Sequence, residues 1–283
     1  MNSCTEKRRS YEEQENTMLI KIAGAQLGSI WEDPILSLKK AEPYIRKAAD
    51  QGASLICFPE LYPTGWDPRS LLHVQDREDL IVSRIRVLAQ EYGIAILGSF
   101  RERFVPKPRN TCIVFDREGK EIASYSKCHL FTPATEEGRY FPGDALGIFR
   151  LEGVPFGIAI CYDLRFSELF KVYAEAGVCC MLVPAAWPAL RIDHWELFVR
   201  ARALEHQFYV IGVNTTGLNP VDRYCGRSIA ADPSGTVIAR AGQGEELMVA
   251  GIDPETMVRL REALPVNRHK RPELYKRMHA REG

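Results

Sequence analysis

The chain has 283 residues, of which 46% are hydrophobic and 26% charged, as in an ordinary water-soluble globular protein. That length suits one large α/β domain or two modest ones. The 37 acidic and 37 basic residues cancel, which argues against a general electrostatic attraction to nucleic acid or membrane, and no stretch approaches the ~20 apolar residues needed to span a bilayer.

From the N-terminus, residues 1–17 are rich in Glu, Lys, Arg and Ser without an apolar core. They read as a flexible arm and not as a secretory or transit leader, with Met18 an alternative start, so a cytoplasmic location is expected. Strand patterns follow at 20–27, 55–58, 94–99, 111–116 and 121–126, with helical periodicity at 35–51 and 79–92. From residue 147 the outline repeats, with strands at 147–151, 154–161, 178–183, 209–213, 225–231, 237–241 and 247–252 and helices at 167–176 and 193–206. No Ser- or Gly-rich linker separates the halves, so residues 18–263 are expected to share one core. The stretch 264–283 is basic, contains Pro and has too little apolar content for a core of its own. Two sheets face to face, with a helix layer outside each, accommodate this order.

Three stations carry chemistry. Cys161 closes the apolar run Gly157-Ile-Ala-Ile and is followed by Tyr162-Asp163-Leu164-Arg165 before helix-forming residues resume. This places a thiol at a strand-to-helix corner, where a lowered pKa and backbone N–H groups for an oxyanion are expected. Glu60 follows the strand pattern Leu55–Phe58, which Pro59 ends, and so sits where open α/β sheets carry their sites. Lys127 follows the hairpin pattern in Tyr125-Ser-Lys-Cys-His. A general base, a cation and a thiol are what acyl transfer through a thioester requires. Of the eight cysteines none forms a Cys-x-x-Cys pair and most lie in apolar runs, which favours reduced thiols over disulfides or zinc.

Glu60, Lys127 and Cys161, in this order and context, resemble the nitrilase superfamily of carbon–nitrogen hydrolases. The resemblance extends to Thr135–Asp144, Pro184–Pro188, His194–Glu205, Asn214, Gly226–Ser228, Asp232–Gly235 and Arg271–Tyr275, and so covers about residues 20–275. It implies an α/β fold, a four-layer α-β-β-α sandwich, and a catalytic set of Glu60, Lys127 and Cys161. A second glutamate is implied at Glu136 or Glu137, with Glu137 the closer local match. Family members commonly carry asparagine where His206 stands.

The resemblance further implies a cofactor-independent hydrolase, without metal, that releases ammonia from a small linear amide, closest in pattern to ω-amidase-like enzymes. Carbamoyl-amine and carbamoyl-amino-acid hydrolases share much of the pattern. Nitrilases proper rank lower because they usually carry Trp-Glu where this chain has Tyr162-Asp163. The contrasting class is a non-catalytic binding scaffold, which retention of all three groups disfavours. Tyr162, Trp187, Arg139 and His194 are the expected substrate contacts, and Arg139 and His194 suggest a carboxylate at the far end of the amide. Arg165 reads as an i,i+3 ion pair with Glu168 on a helix. The expected partners are a small amide and further copies of the chain, since in relatives such a C-terminal tail packs on a partner subunit.

Overall fold

Along the first strand Ile20 and Ile22 turn to one apolar core and Ala23 and Ala25 to another, so both faces of the sheet are covered from its first element onward. The computed structural model describes residues 19–279, so the expected arm at 1–17 lies outside the described residues. The first half runs β1 (Ile20–Gln26), α1 (Pro34–Asp50), β2 (Leu55–Cys57), a short β3 (Val74–Gln75), α2 (Leu80–Tyr92), β4 (Ala95–Glu102), β5 (Arg109–Phe115) and β6 (Glu121–Ser126). A four-residue helix, α3 (Glu136–Arg139), leads to β7 (Gly147–Leu151), β8 (Val154–Ile158), α4 (Ser167–Glu175), β9 (Cys180–Ala185), α5 (Ile192–His206) and β10 (Tyr209–Asn214). The remainder is β11 (Thr216–Leu218), β12 (Arg223–Cys225), β13 (Ile229–Ala231), β14 (Val237–Arg240), β15 (Glu246–Ile252), α6 (Pro254–Ala263) and α7 (Pro272–His279).

The two large sheets have the same plan. In the first the order is β15-β1-β2-β4-β5-β6, with β1, β2 and β4 parallel and antiparallel neighbours on both sides. In the second it is β14-β13-β10-β9-β8-β7, with β8, β9 and β10 parallel in the middle. The repeat read in the sequence is therefore structural. One strand breaks the segregation: β15, from the end of the chain, pairs with β1 from its start, Ile20 opposite Ile252. The first sheet therefore cannot be completed without the end of the chain, and this ties the two halves together.

Ile22, Leu55, Leu97 and Val114 of the first sheet share a core with Phe156, Ile158, Leu182 and Val213 of the second. The approach is close: a Cβ at Gly24 would lie 2.9 Å from Val213 Cγ2, so only glycine fits there. On the outer face, α1 buries Leu38, Ala41, Ile45 and Ala48 at helical spacing, and α2 buries Ile81, Val82, Ile85 and Leu88. Each of the Leu, Ile and Val side chains among these contributes about 1.5–3 kcal/mol when fully buried. Asp33 caps α1 by accepting from Leu36 N–H at 2.9 Å, with Pro34 in the first turn, and α2 ends at Gly93 in the left-handed region (φ 60°). Across the second sheet, α4 and α5 deliver Phe170, Tyr173, Trp195 and Val199. The result is the four-layer α-β-β-α sandwich.

Two expected strands change at their ends. The one expected over 154–161 stops at Ile158, because Cys161–Arg165 winds into a 3-10 turn. The one expected over 225–231 splits at Gly226 and Arg227, both with positive φ (62° and 58°). Beyond β15 the tail begins with α6, held by Arg261, which donates to Gln207 O (3.1 Å) and His206 O (3.3 Å) at the C-terminus of α5.

Candidate active site

Glu60 lies three residues beyond the end of β2, Lys127 one beyond β6, and Cys161 three beyond β8. The strands come from different sheets, and face-to-face packing brings their ends together. Cys161 opens its 3-10 turn with φ 45°, a left-handed conformation that a cysteine adopts only when its surroundings impose it. The imposing group is Asp163, which is fully buried. Its Oδ2 accepts from Ile160 N–H (2.9 Å) and Tyr125 Oη (2.7 Å), and its Oδ1 from His129 N–H (2.9 Å), with His129 Nδ1 at 2.8 Å. One carboxylate thus ties the cysteine turn to the end of β6, where Lys127 sits.

Lys127 Nζ donates to Glu60 Oε1 (2.8 Å) and to Glu136 Oε2 (2.9 Å) and Oε1 (3.2 Å), and all three side chains are at most 1% exposed. Asn110, from β5, donates to Glu60 Oε1 (2.8 Å) and lies 3.4 Å from Glu136 Oε1. Ala186 N–H reaches Glu60 Oε2 (3.1 Å), and the Cys161 thiol lies close enough to the same carboxylate for each to act on the other's pKa. Lys127 is the keystone of the cluster, because removing it would leave two buried carboxylates without a counter-charge.

Burial raises the pKa of Glu60, Lys127 opposes the rise, and Glu136 adds to it. Burial also works against the Lys127 ammonium, but the charges of Glu136 and Glu60 outweigh it and hold its pKa well above the lysine range. The Cys161 thiol is raised well above its ordinary value, first by burial and then by Glu60, with Lys127 pulling the other way. This corrects the expectation of a lowered thiol pKa: two carboxylates around one lysine leave no surplus positive charge for a thiolate. The resting pair is a thiol facing a base, which suits proton transfer during attack.

The expected second glutamate also needs correction. Glu137 is exposed, and Lys107 touches only its backbone carbonyl. Glu136 is the buried one, accepting from Phe131 N–H at 2.7 Å as well as from Lys127. Thr135 takes a left-handed conformation (φ 58°) and turns the next side chain, Glu136, inward.

Cys161 and Lys127 open onto a pocket of about 280 Å³, whose walls include Trp66, Phe131, Tyr162, Trp187, Arg165 and Arg191. Tyr162 and Trp187 therefore stand where expected. Trp187 is positioned by Asn214, whose Oδ1 accepts from Trp187 N–H (2.7 Å) and whose Nδ2 donates to Trp187 O (3.1 Å). Arg139 does not stand in the pocket: it is exposed on α3, and Asp144 faces Arg109 at 3.9 Å instead. His194 is exposed and meets the pocket only through Arg165, with Nδ1 3.3 Å from the guanidinium Nη2. Arg165 is not paired with Glu168. Its guanidinium lies 4.9 Å from the Trp187 ring centre and 5.2 Å from that of Phe198, and Arg191 lies 5.5 Å from that of Phe131. Among the described residues no cluster of three or more His, Cys, Asp or Glu could hold a metal ion, and no helix is long and apolar enough to cross a membrane.

Sequence reasoning missed Asn110, Asp163 and Arg191. The first two are single polar residues beside or within apolar runs, where an expected buried strand has no place for them. That anomaly was the available signal.

Comparison with known proteins fits this geometry. A family model described as carbon-nitrogen hydrolase matches residues 21–262. The chain is 35% identical over 244 residues to the 2-oxoglutaramate amidase of Bacillus subtilis, covering 86% of this chain and 94% of that protein. It is 32% identical over 265 residues to omega-amidase NIT2 of Homo sapiens, covering 88% and 94%. The crystal structure of Saccharomyces cerevisiae Nit3, a member of branch 10 of the nitrilase superfamily, superimposes with a TM-score of 0.80 at 30% identity, covering 87% of this chain and 94% of that one. With its buried glutamate, lysine and cysteine at the ends of three strands, the chain belongs to the carbon–nitrogen hydrolase family.

Proposed function

We propose that the protein is an amidase that hydrolyses short linear amides carrying a carboxylate at the far end, through a thioester on Cys161. The observation that carries this reading is the Glu60–Lys127–Glu136 cluster against the Cys161 thiol, open to a pocket with two guanidinium groups on its walls. The relatives named 2-oxoglutaramate amidase and omega-amidase support the same substrate class.

Glu60 takes the thiol proton as sulfur attacks the amide carbon, and its raised pKa brings it closer to the thiol it serves. Lys127 and the backbone N–H of Tyr162, at the head of the 3-10 turn, receive the developing oxyanion. Glu60 then passes its proton to the leaving ammonia, and the thioester remains. Water deprotonated by Glu60 hydrolyses it, while Glu136 holds Lys127 in place throughout. A substrate carboxylate buried in this pocket requires a cation. Arg165 and Arg191 take the role first assigned to Arg139 and His194, with His194 steadying Arg165 from outside.

Ammonia release tests the assignment. The expected result is that kcat/KM for 2-oxoglutaramate and succinamate exceeds that for butyramide by at least ~10²-fold, as charge-assisted bidentate pairing gives. Equal values would reject carboxylate recognition. The exposed apolar residues Leu264, Tyr275 and Met278 in the tail support a homo-oligomer in which residues 264–283 meet a partner subunit, and the free thiols of the described cysteines suit a cytoplasmic location. Light scattering on the full chain and on a chain truncated after residue 263 tests the first point.

A further inference from the structure

Nucleophile and base are reached from different sides. Cys161 and Lys127 border the large substrate pocket, whereas Glu60 borders a second, small one behind it. Trp66 is the wall between them. The rear pocket offers about 20 Å³, lined by Glu60, Ser29, Trp66, Thr215, Thr216 and Tyr224. One water needs ~10–15 Å³ of such space and two to four polar partners. Two of the lining residues carry a polar atom buried without a hydrogen bond, Trp66 Nε1 and Tyr224 Oη, in residues only 7% and 4% exposed. The Asn219 amide lies beside the Tyr224 hydroxyl without making a bond of good geometry. Burial, reinforced by the charges of Asp222, Glu60 and Cys161, keeps that hydroxyl protonated. At the outer rim Leu218 is 83% exposed, so the pocket leads toward solvent beside the β11–β12 hairpin.

We infer that this rear pocket is the water site for deacylation, with Tyr224 and Trp66 as positioning residues that hand a water molecule to Glu60. This rests on the thioester reading above. Once the acyl group is on Cys161 it fills the front pocket, and the departing ammonia leaves a place beside Glu60. Water enters that place from the rear. Its oxygen bonds to the thioester carbon while one proton passes to Glu60. The tetrahedral intermediate then breaks the C–S bond, Glu60 returns the proton to sulfur, and carboxylic acid and thiol are restored.

Two variants test the route. Tyr224→Phe removes one ligand of the water, and Ser29→Val narrows the rear pocket without touching the substrate pocket. Quenched-flow with succinamate separates the steps: the ammonia burst reports acylation, and decay of the acyl group on the Cys161 peptide after substrate depletion reports deacylation. Both variants are expected to slow deacylation about five- to tenfold, the effect of one lost hydrogen bond, while acylation stays within about twofold. Equal slowing of both steps, or unchanged deacylation in both variants, would overturn the proposal. An absence of any acyl group on wild-type Cys161 would instead remove the thioester reading, a distinct outcome visible before any variant is made.

Discussion

Replacing Glu136 with glutamine keeps the shape of the side chain and removes its charge. All four contacts around that carboxylate come from donors: Lys127 Nζ at 2.9 and 3.2 Å, Phe131 N–H at 2.7 Å and Asn110 Nδ2 at 3.4 Å. A glutamine must turn its own NH₂ toward one of them. An unsatisfied buried donor costs about 1–3 kcal/mol, so the variant should remain folded with a lower Tm. Lys127 would keep Glu60 alone as a charged partner and shift toward it, away from the oxyanion. Misplacing one such donor lowers kcat by ~10²–10³. The pH profile gives a second reading. Glu136 helps to raise the pKa of Glu60, and Glu60 must be deprotonated to act, so activity is lost as pH falls through its pKa. In Glu136→Gln the acid limb of kcat/KM should therefore move to lower pH. Glu137→Gln, on an exposed side chain, is the control and should match wild type. Full activity in Glu136→Gln with loss in Glu137→Gln would refute the reasoning.

Lys127→Arg should fail almost as badly as Lys127→Ala, because a planar guanidinium cannot occupy a point between carboxylates 2.8 and 2.9 Å away; near-normal turnover would reduce Lys127 to a distant charge. His206 is buried and its pKa is lowered to about 4 from the ordinary 6.5, first by burial. The folded state thus prefers it neutral, and the stability it carries is present above pH 6.5 and lost as pH falls toward 4. His206→Asn should remove that part of the acid-side loss in urea unfolding between these pH values, and an unchanged profile would contradict it.

Lys127, after the mixed strand Glu121–Ser126, was legible only from its order and context with Glu60 and Cys161. Those two were legible because each follows an apolar run, and a strand end in such a fold is where chemistry is exposed. The two sheets were legible for the same reason, since both faces of each are buried and the runs are nearly continuous. The second glutamate was not. Tyr140 stands four residues after Glu136 and Phe141 four after Glu137, so the two registers look alike, and only the left-handed Thr135 decides between them. Arg165 was read as paired with Glu168 on the assumption of one continuous helix. The 3-10 turn ends at Arg165 and α4 begins at Ser167, so the two never share a face. Asp163 and Asn110 act across strands distant in sequence, and the pairing of β15 with β1 joins the chain's two ends. No local pattern reports such contacts.

The central claim is that the amide carbon is carried on Cys161. Acid quench of the wild-type protein turning over succinamate, followed by peptide mass mapping, tests it most directly. The account predicts a succinyl group on the peptide containing Cys161, none on peptides carrying the other cysteines, and none anywhere in a folded but inactive Cys161→Ala variant. Turnover that persists in Cys161→Ala, or an acyl group found on another residue, would contradict it.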